Sequence, residues 1–150
     1  MTPPADGRVD GMWLKRSHRG PMDAVREIRV SPDDGIVGGV DRSRRRQITL
    51  IEREVWDRLM HDLGGNADPS ARRANLMVSG IRLPHTRGRV LRVGDARLAI
   101  GGELTPCERM DEVLPGLRAA MLPDWGGGAF AQVLGDAMIR VGDTAEWETP

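Results

Sequence analysis

The chain has 150 residues, 22 Lys plus Arg against 22 Asp plus Glu, four Trp, one Phe, no Tyr and a single Cys. The balanced charge gives no overall field to gather nucleic acid or anionic lipid, and no apolar run approaches the roughly 20 residues that span a bilayer. One Cys excludes an internal disulfide and, with no export signal, points to a reducing cytoplasm.

Residues 1–10 lack an apolar h-region and read as a flexible Pro/Gly-rich lead-in to a single domain over 11–150. The 19 Gly and 10 Pro punctuate short apolar runs, a pattern of many short strands. "AVREIRVS" (24–31), "RQITLI" (46–51) and "NLMVSGIRL" (75–83) read as strands. "RVLRVGDARLAIGG" (89–102) reads as a hairpin turning at Gly94-Asp95. The tetrapeptide "RVGD" recurs at 140–143, as the same answer to a second strand-turn problem.

Two helices are expected. One follows "TLIE", with Thr49 and Glu52 as a capping box, Val55, Leu59 and Leu63 as the apolar stripe and Gly64 as the stop. The other opens at "TPCE", with Thr105 as cap, Pro106 at the first position and Glu108 completing the box. Pro115-Gly116 breaks it. Strands "AFAQVL" and "AMIRVG" follow, so the fold class is mainly β, a barrel with two or three short helices.

Cys107 falls at the second position of that second helix, where unpaired N–H groups and the helix dipole favour a thiolate. A thiolate there suits a soft metal or transferable sulfur; a small buried core Cys is the alternative. "DRSRRRQ" (41–47) and "ARRAN" (71–75) are candidate anion clamps, with solvated loops as the alternative. His18, His61 and His85 are isolated, and no zinc spacing, GxGxxG, Walker A or GxSxG pattern occurs. "WGGGAF" lacks the Lys and Ser/Thr of a phosphate loop.

From "MWLKRSHRGPM" to "IRVGDTAEW" the chain resembles the MOSC family, named for the C-terminal domain of molybdenum cofactor sulfurase. "RGPM", "GGVDRSRRRQITLIERE", "RRANLMVSGIRL", "LRVGDARLAI" and "GELTPCERM" match its segments in order, and Val40 departs from a common Gly. The resemblance implies a barrel related to that of pyruvate kinase, which binds the molybdenum cofactor (molybdopterin) or carries sulfur. Carried over by position, Cys107 would ligate molybdenum or hold a persulfide. Arg73 and Asn75 would stand near the cofactor, Arg73 pairing its phosphate, and Asp41 and Arg42 would flank the site. The aminotransferase-like domain of full sulfurases has no counterpart here, so no pyridoxal phosphate is expected.

Two functions stay open beside cofactor binding and sulfur carriage: a molybdenum-dependent reductase of N-oxygenated compounds, and a non-catalytic barrel with a vestigial site. The expected partners are the pterin cofactor or a sulfur donor protein, with no nucleic acid and no membrane. The Arg-rich loop and exposed Trp side chains would allow a homodimer.

Overall fold

The computed structural model describes residues 7–15, 17, 20–39 and 45–149. Asp41 and Arg42, both expected at the site, lie outside the described residues, as do Val40 and His18.

Short apolar runs separated by glycine turns fold as a closed barrel. Its strands run in the order β11 (Thr144–Trp147), β7 (Val90–Val93), β8 (Ala96–Glu103), β9 (Ala129–Val133), β5 (Ile48–Glu52), β6 (Leu76–Ser79) and β1 (Gly7–Lys15). Pairing of β1 with β11 closes the ring. β2 (Met22–Ala24) pairs with the far end of β1. β3 (Glu27–Ser31), β4 (Gly35–Ile36) and β10 (Ala137–Arg140) form a separate three-stranded sheet. Alternation along β8 sends Ala96, Leu98 and Ile100 inward. They join Val9, Leu50, Leu76, Leu91 and Ile139 in one core.

The neighbours β5 and β6 are parallel, joined by a crossover through α1 (Arg53–Leu63). α1 buries Val55, Trp56, Leu59 and Met60 against Met110 of α2 (Arg109–Val113) and Leu117 and Met121 of α3 (Leu117–Met121). Gly64 ends α1 in the left-handed region at φ 68°, the conformation for which glycine has no steric cost. Gly94 turns the β7–β8 hairpin at φ 57°, and Gly142 serves the second "RVGD" at φ 95°.

Four expectations need correction. β1 begins at Gly7, so residues 7–10 belong to the barrel and not to a lead-in; Val9 is fully buried. A bulge between Val9 and Gly11 switches which face points inward, and this hides the strand from a simple period-two reading. Thr49 caps no helix. It sits inside β5, where its N–H and hydroxyl bond to Asn75, and α1 starts four residues later with no side-chain cap.

The second helix also starts late, at Arg109, and is five residues long. Leu104 donates its N–H to Gly128 O and accepts at its own carbonyl from Arg72, so the 104–107 segment is held along neighbouring loops before it can wind. Finally, none of the four tryptophans is exposed: Trp13 and Trp56 are buried, and Trp125 and Trp147 are half-buried. Among the described residues, no helix is long and apolar enough to cross a membrane.

Candidate functional site

The end of β1, the start of β5, the turn before β6 and the segment between β8 and α2 enclose a cavity of about 370 Å³. That size suits a small-molecule site. Its lining holds Cys107, Arg73 and Asn75 together, three residues far apart in sequence. Among the described residues, the ionisable side chains lining it besides Cys107 are Lys15, Arg46, Arg72, Arg73 and Arg109, and no carboxylate lines it. This local excess of cation arises in a chain with no net charge.

Cys107 is a free, exposed thiol. It stands two residues ahead of α2, not at the second position within it, and its carbonyl accepts from Met110 N at 3.0 Å. The thiol's setting therefore comes from the cavity wall and its arginines, since a five-residue helix offers little dipole.

Arg72 and Arg73 come from a tight 3-10 turn at Pro69–Arg72. Asp68 opens the turn by accepting from Ser70 N at 2.9 Å, and that bond holds its carboxyl below the ordinary range. Arg73 leaves the turn in the left-handed region at φ 65°. A non-glycine residue there costs on the order of 1 kcal/mol. The turn separates the two arginines. Arg72 is buried, with Nε donating to Gly127 O at 2.9 Å and Nη2 to Leu104 O at 3.0 Å. Arg73 donates from Nη1 to Gly20 O at 2.7 Å, while its Nη2 is enclosed and has no partner among the described residues.

Asn75 lines the cavity, but its amide is committed elsewhere. Oδ1 accepts from Thr49 N at 3.0 Å and from Thr49 Oγ1 at 3.1 Å; Nδ2 donates to Trp13 O at 3.3 Å. One side chain thus ties β5, β6 and β1 at the cavity floor.

Sequence reasoning missed Lys15, the steric role of the glycine loop before β9 and the Thr49–Asn75 tie. Lys15, the single lysine, belongs to no motif in the sequence, yet it lines the cavity from the end of β1. Of the Arg-rich run expected as an anion clamp, Arg45 and Arg46 are the described arginines, and Arg46 lines the cavity with its guanidinium 4.9 Å above the Phe130 ring. The glycines of "WGGGAF" are steric, not phosphate-binding. A Cβ at Gly127 would come within 2.5 Å of Leu104 O, and one at Gly128 within 2.1 Å of Leu50 O. Their absent side chains let this loop lie against the Cys107 segment. A polar Thr between Ile48 and Leu50 was the signal for the Thr49–Asn75 tie, because alternation turns it away from the barrel core.

Outside the cavity, Glu52 is almost fully buried at the end of β5. Burial raises its pKa, opposed by the Leu83 N–H that it accepts and by nearby Arg82. His61 is exposed in the last turn of α1, and His85 meets Trp125 at 6.1 Å between ring centres; neither lines the cavity. No group of three His, Cys, Asp or Glu side chains among the described residues is placed to hold a metal ion by itself.

Comparison with solved structures shows the same fold in the YuaD protein of Bacillus subtilis, with a TM-score of 0.79 at 19% identity over 93% of both chains. YiiM from Geobacillus stearothermophilus gives 0.75 at 16% identity, over 95% of this chain and 75% of that one. YiiM from Escherichia coli gives 0.71 at 15%, over 95% and 70%. A search of curated protein sequences returns no match. The sequence profile of the MOSC domain matches residues 16–146, most of the chain and all of the cavity-lining residues named above except Lys15. The chain belongs to the MOSC domain family.

Proposed function

We propose that the cavity binds the pterin molybdenum cofactor, with Arg73 facing its phosphate and the Cys107 thiolate as the protein's ligand to the metal. The observation that carries this reading is the charge of the lining: among the described residues, five cations, no carboxylate and one accessible thiol. Guanidinium groups bind phosphate through paired hydrogen bonds, and Arg73 Nη2 is a donor without a partner among the described residues. A thiolate is a soft ligand suited to such a metal. No group of three His, Cys, Asp or Glu side chains among the described residues is placed to hold a metal, so beyond Cys107 the cofactor would supply the metal's ligands. Bound there, the cofactor would supply oxygen-atom transfer, the chemistry that reduces N-oxygenated compounds. Asn75 holds the cavity floor in shape and does not bind the ligand through its amide oxygen.

The exposure of Cys107 also favours a second reading, sulfur carriage. The thiolate would attack the outer sulfur of a donor persulfide. A new S–S bond forms on Cys107, the donor's S–S bond breaks, and the donor leaves as a thiolate.

The test is to express the chain in a host that makes the cofactor, then measure molybdenum, pterin and the intact mass. Stoichiometric pterin and metal support the first reading; one added sulfur on Cys107 without pterin supports the second. Protein with neither overturns both.

A further inference from the structure

We infer that Arg72 gives reactions at Cys107 their preference for anionic partners, because the fold locks its guanidinium charge beside the thiol. This rests on the reading that the cavity takes an anion next to Cys107, and it assigns that selectivity to one residue.

Arg72 is only 7% exposed, yet it lines the cavity with Cys107. Its two bonds go to backbone carbonyls, Gly127 O and Leu104 O. Carbonyls fix a guanidinium in place without cancelling its charge. No carboxylate pairs with Arg72 among the described residues, although Arg53, Arg82, Arg97 and Arg140 all have acidic partners. The acid nearest Cys107 in sequence, Glu108, is exposed and does not line the cavity.

The bond to Leu104 O also anchors the segment that carries Cys107, three residues on. Gly127 permits the arrangement, since a Cβ there would lie 3.2 Å from Arg72 Nη2 as well as against Leu104 O. Electrostatics agrees with the geometry. Burial lowers the Arg72 pKa from the ordinary arginine value, and the charge of the Cys107 thiolate acts to raise it again. Lys15, Arg46, Arg73 and Arg109 add to the field. Arg72 differs from exposed Arg109 in being buried and tethered, so less of its charge is screened.

The experiment uses the full chain purified without cofactor, in which Cys107 is the only thiol. Alkylation rates are measured with iodoacetate, an anion, and with neutral iodoacetamide at one pH. Both reagents meet the same thiolate population, so their rate ratio reports the local field and cancels the extent of ionisation. The wild-type ratio is expected to exceed that of a free cysteine peptide and to fall towards it as salt is added. Arg72→Met is expected to lower the ratio by about threefold or more, while Arg72→Lys, which keeps the charge, holds it within about twofold.

A purely structural role would change both rates together and leave the ratio unchanged. Arg72→Gln is a second neutral variant should Arg72→Met fail to fold. A wild-type ratio equal to the peptide's, or one unmoved in a folded neutral variant, overturns the inference. The assay needs no cofactor, so failure to bind pterin and failure of this selectivity are separate results.

Discussion

Replacing Asn75 with alanine removes three hydrogen bonds that hold three strands together under the cavity. Two are to Thr49, at 3.0 and 3.1 Å, and one is to Trp13 O, at 3.3 Å. The Thr49 N–H loses the acceptor that Asn75 supplies inside a strand pairing, where water is a poor substitute. The long bond to Trp13 contributes least, and the stranded Thr49 N–H contributes most. At about 1 kcal/mol net for an ordinary bond, and somewhat more for a donor left unpaired, the total is roughly 2–3 kcal/mol. For a chain of this size that lowers Tm by roughly 5–10 °C.

Asn75→Asp keeps the acceptor for Thr49 and loses only the donation to Trp13, so it should cost less than half as much. Its new carboxylate also faces a cationic lining. Urea unfolding followed by tryptophan fluorescence reads both values, given an unchanged slope with denaturant. A loss below about 0.5 kcal/mol for Asn75→Ala, the scale of an ordinary surface substitution, would refute the strand-tie argument.

Gly128→Ala places a Cβ 2.1 Å from Leu50 O at a residue with φ 102°, so it should cost on the order of 3 kcal/mol or more. Gly135→Ala meets nothing within 4 Å and should stay within about 0.5 kcal/mol; equal urea midpoints for the two variants would contradict the packing argument. Glu52 supplies a pH signature. Its folded pKa is raised from 4.5, so above that pH the folded state keeps a proton that the unfolded chain releases, and stability falls as pH rises through the window up to the raised value. Glu52→Gln removes this ionisation and keeps an acceptor for Leu83 N, so its stability should decline less over the same window. Matching pH slopes in urea unfolding would contradict this assignment.

What the sequence makes legible is local. The hairpin at Gly94, the stop at Gly64 and the break at Gly116 each follow from one residue's backbone freedom. The Arg72–Asn75 cluster and Cys107 could be singled out by residue type, and the fold brings them to one cavity. What escapes notice depends on partners distant in sequence. Thr49 reads as a helix cap because its acceptor, Asn75, lies 26 residues away across a parallel strand pair. Lys15 joins the site only when β1 closes the ring on β11 and β6. The glycines before β9 look like a failed phosphate loop until Leu50, Leu104 and Arg72 are seen crowding them.

The central claim is that an anion-binding wall and a thiolate share one cavity and divide the cofactor between them. Pterin and molybdenum per chain, measured together in wild type, Cys107→Ser and Arg73→Met from a cofactor-producing host, test that division most directly. The account predicts stoichiometric amounts of both in wild type. Cys107→Ser should lose metal while keeping much of the pterin, and Arg73→Met should lose pterin and metal together. Wild-type protein free of pterin, or pterin held equally well without the Arg73 guanidinium, would contradict it.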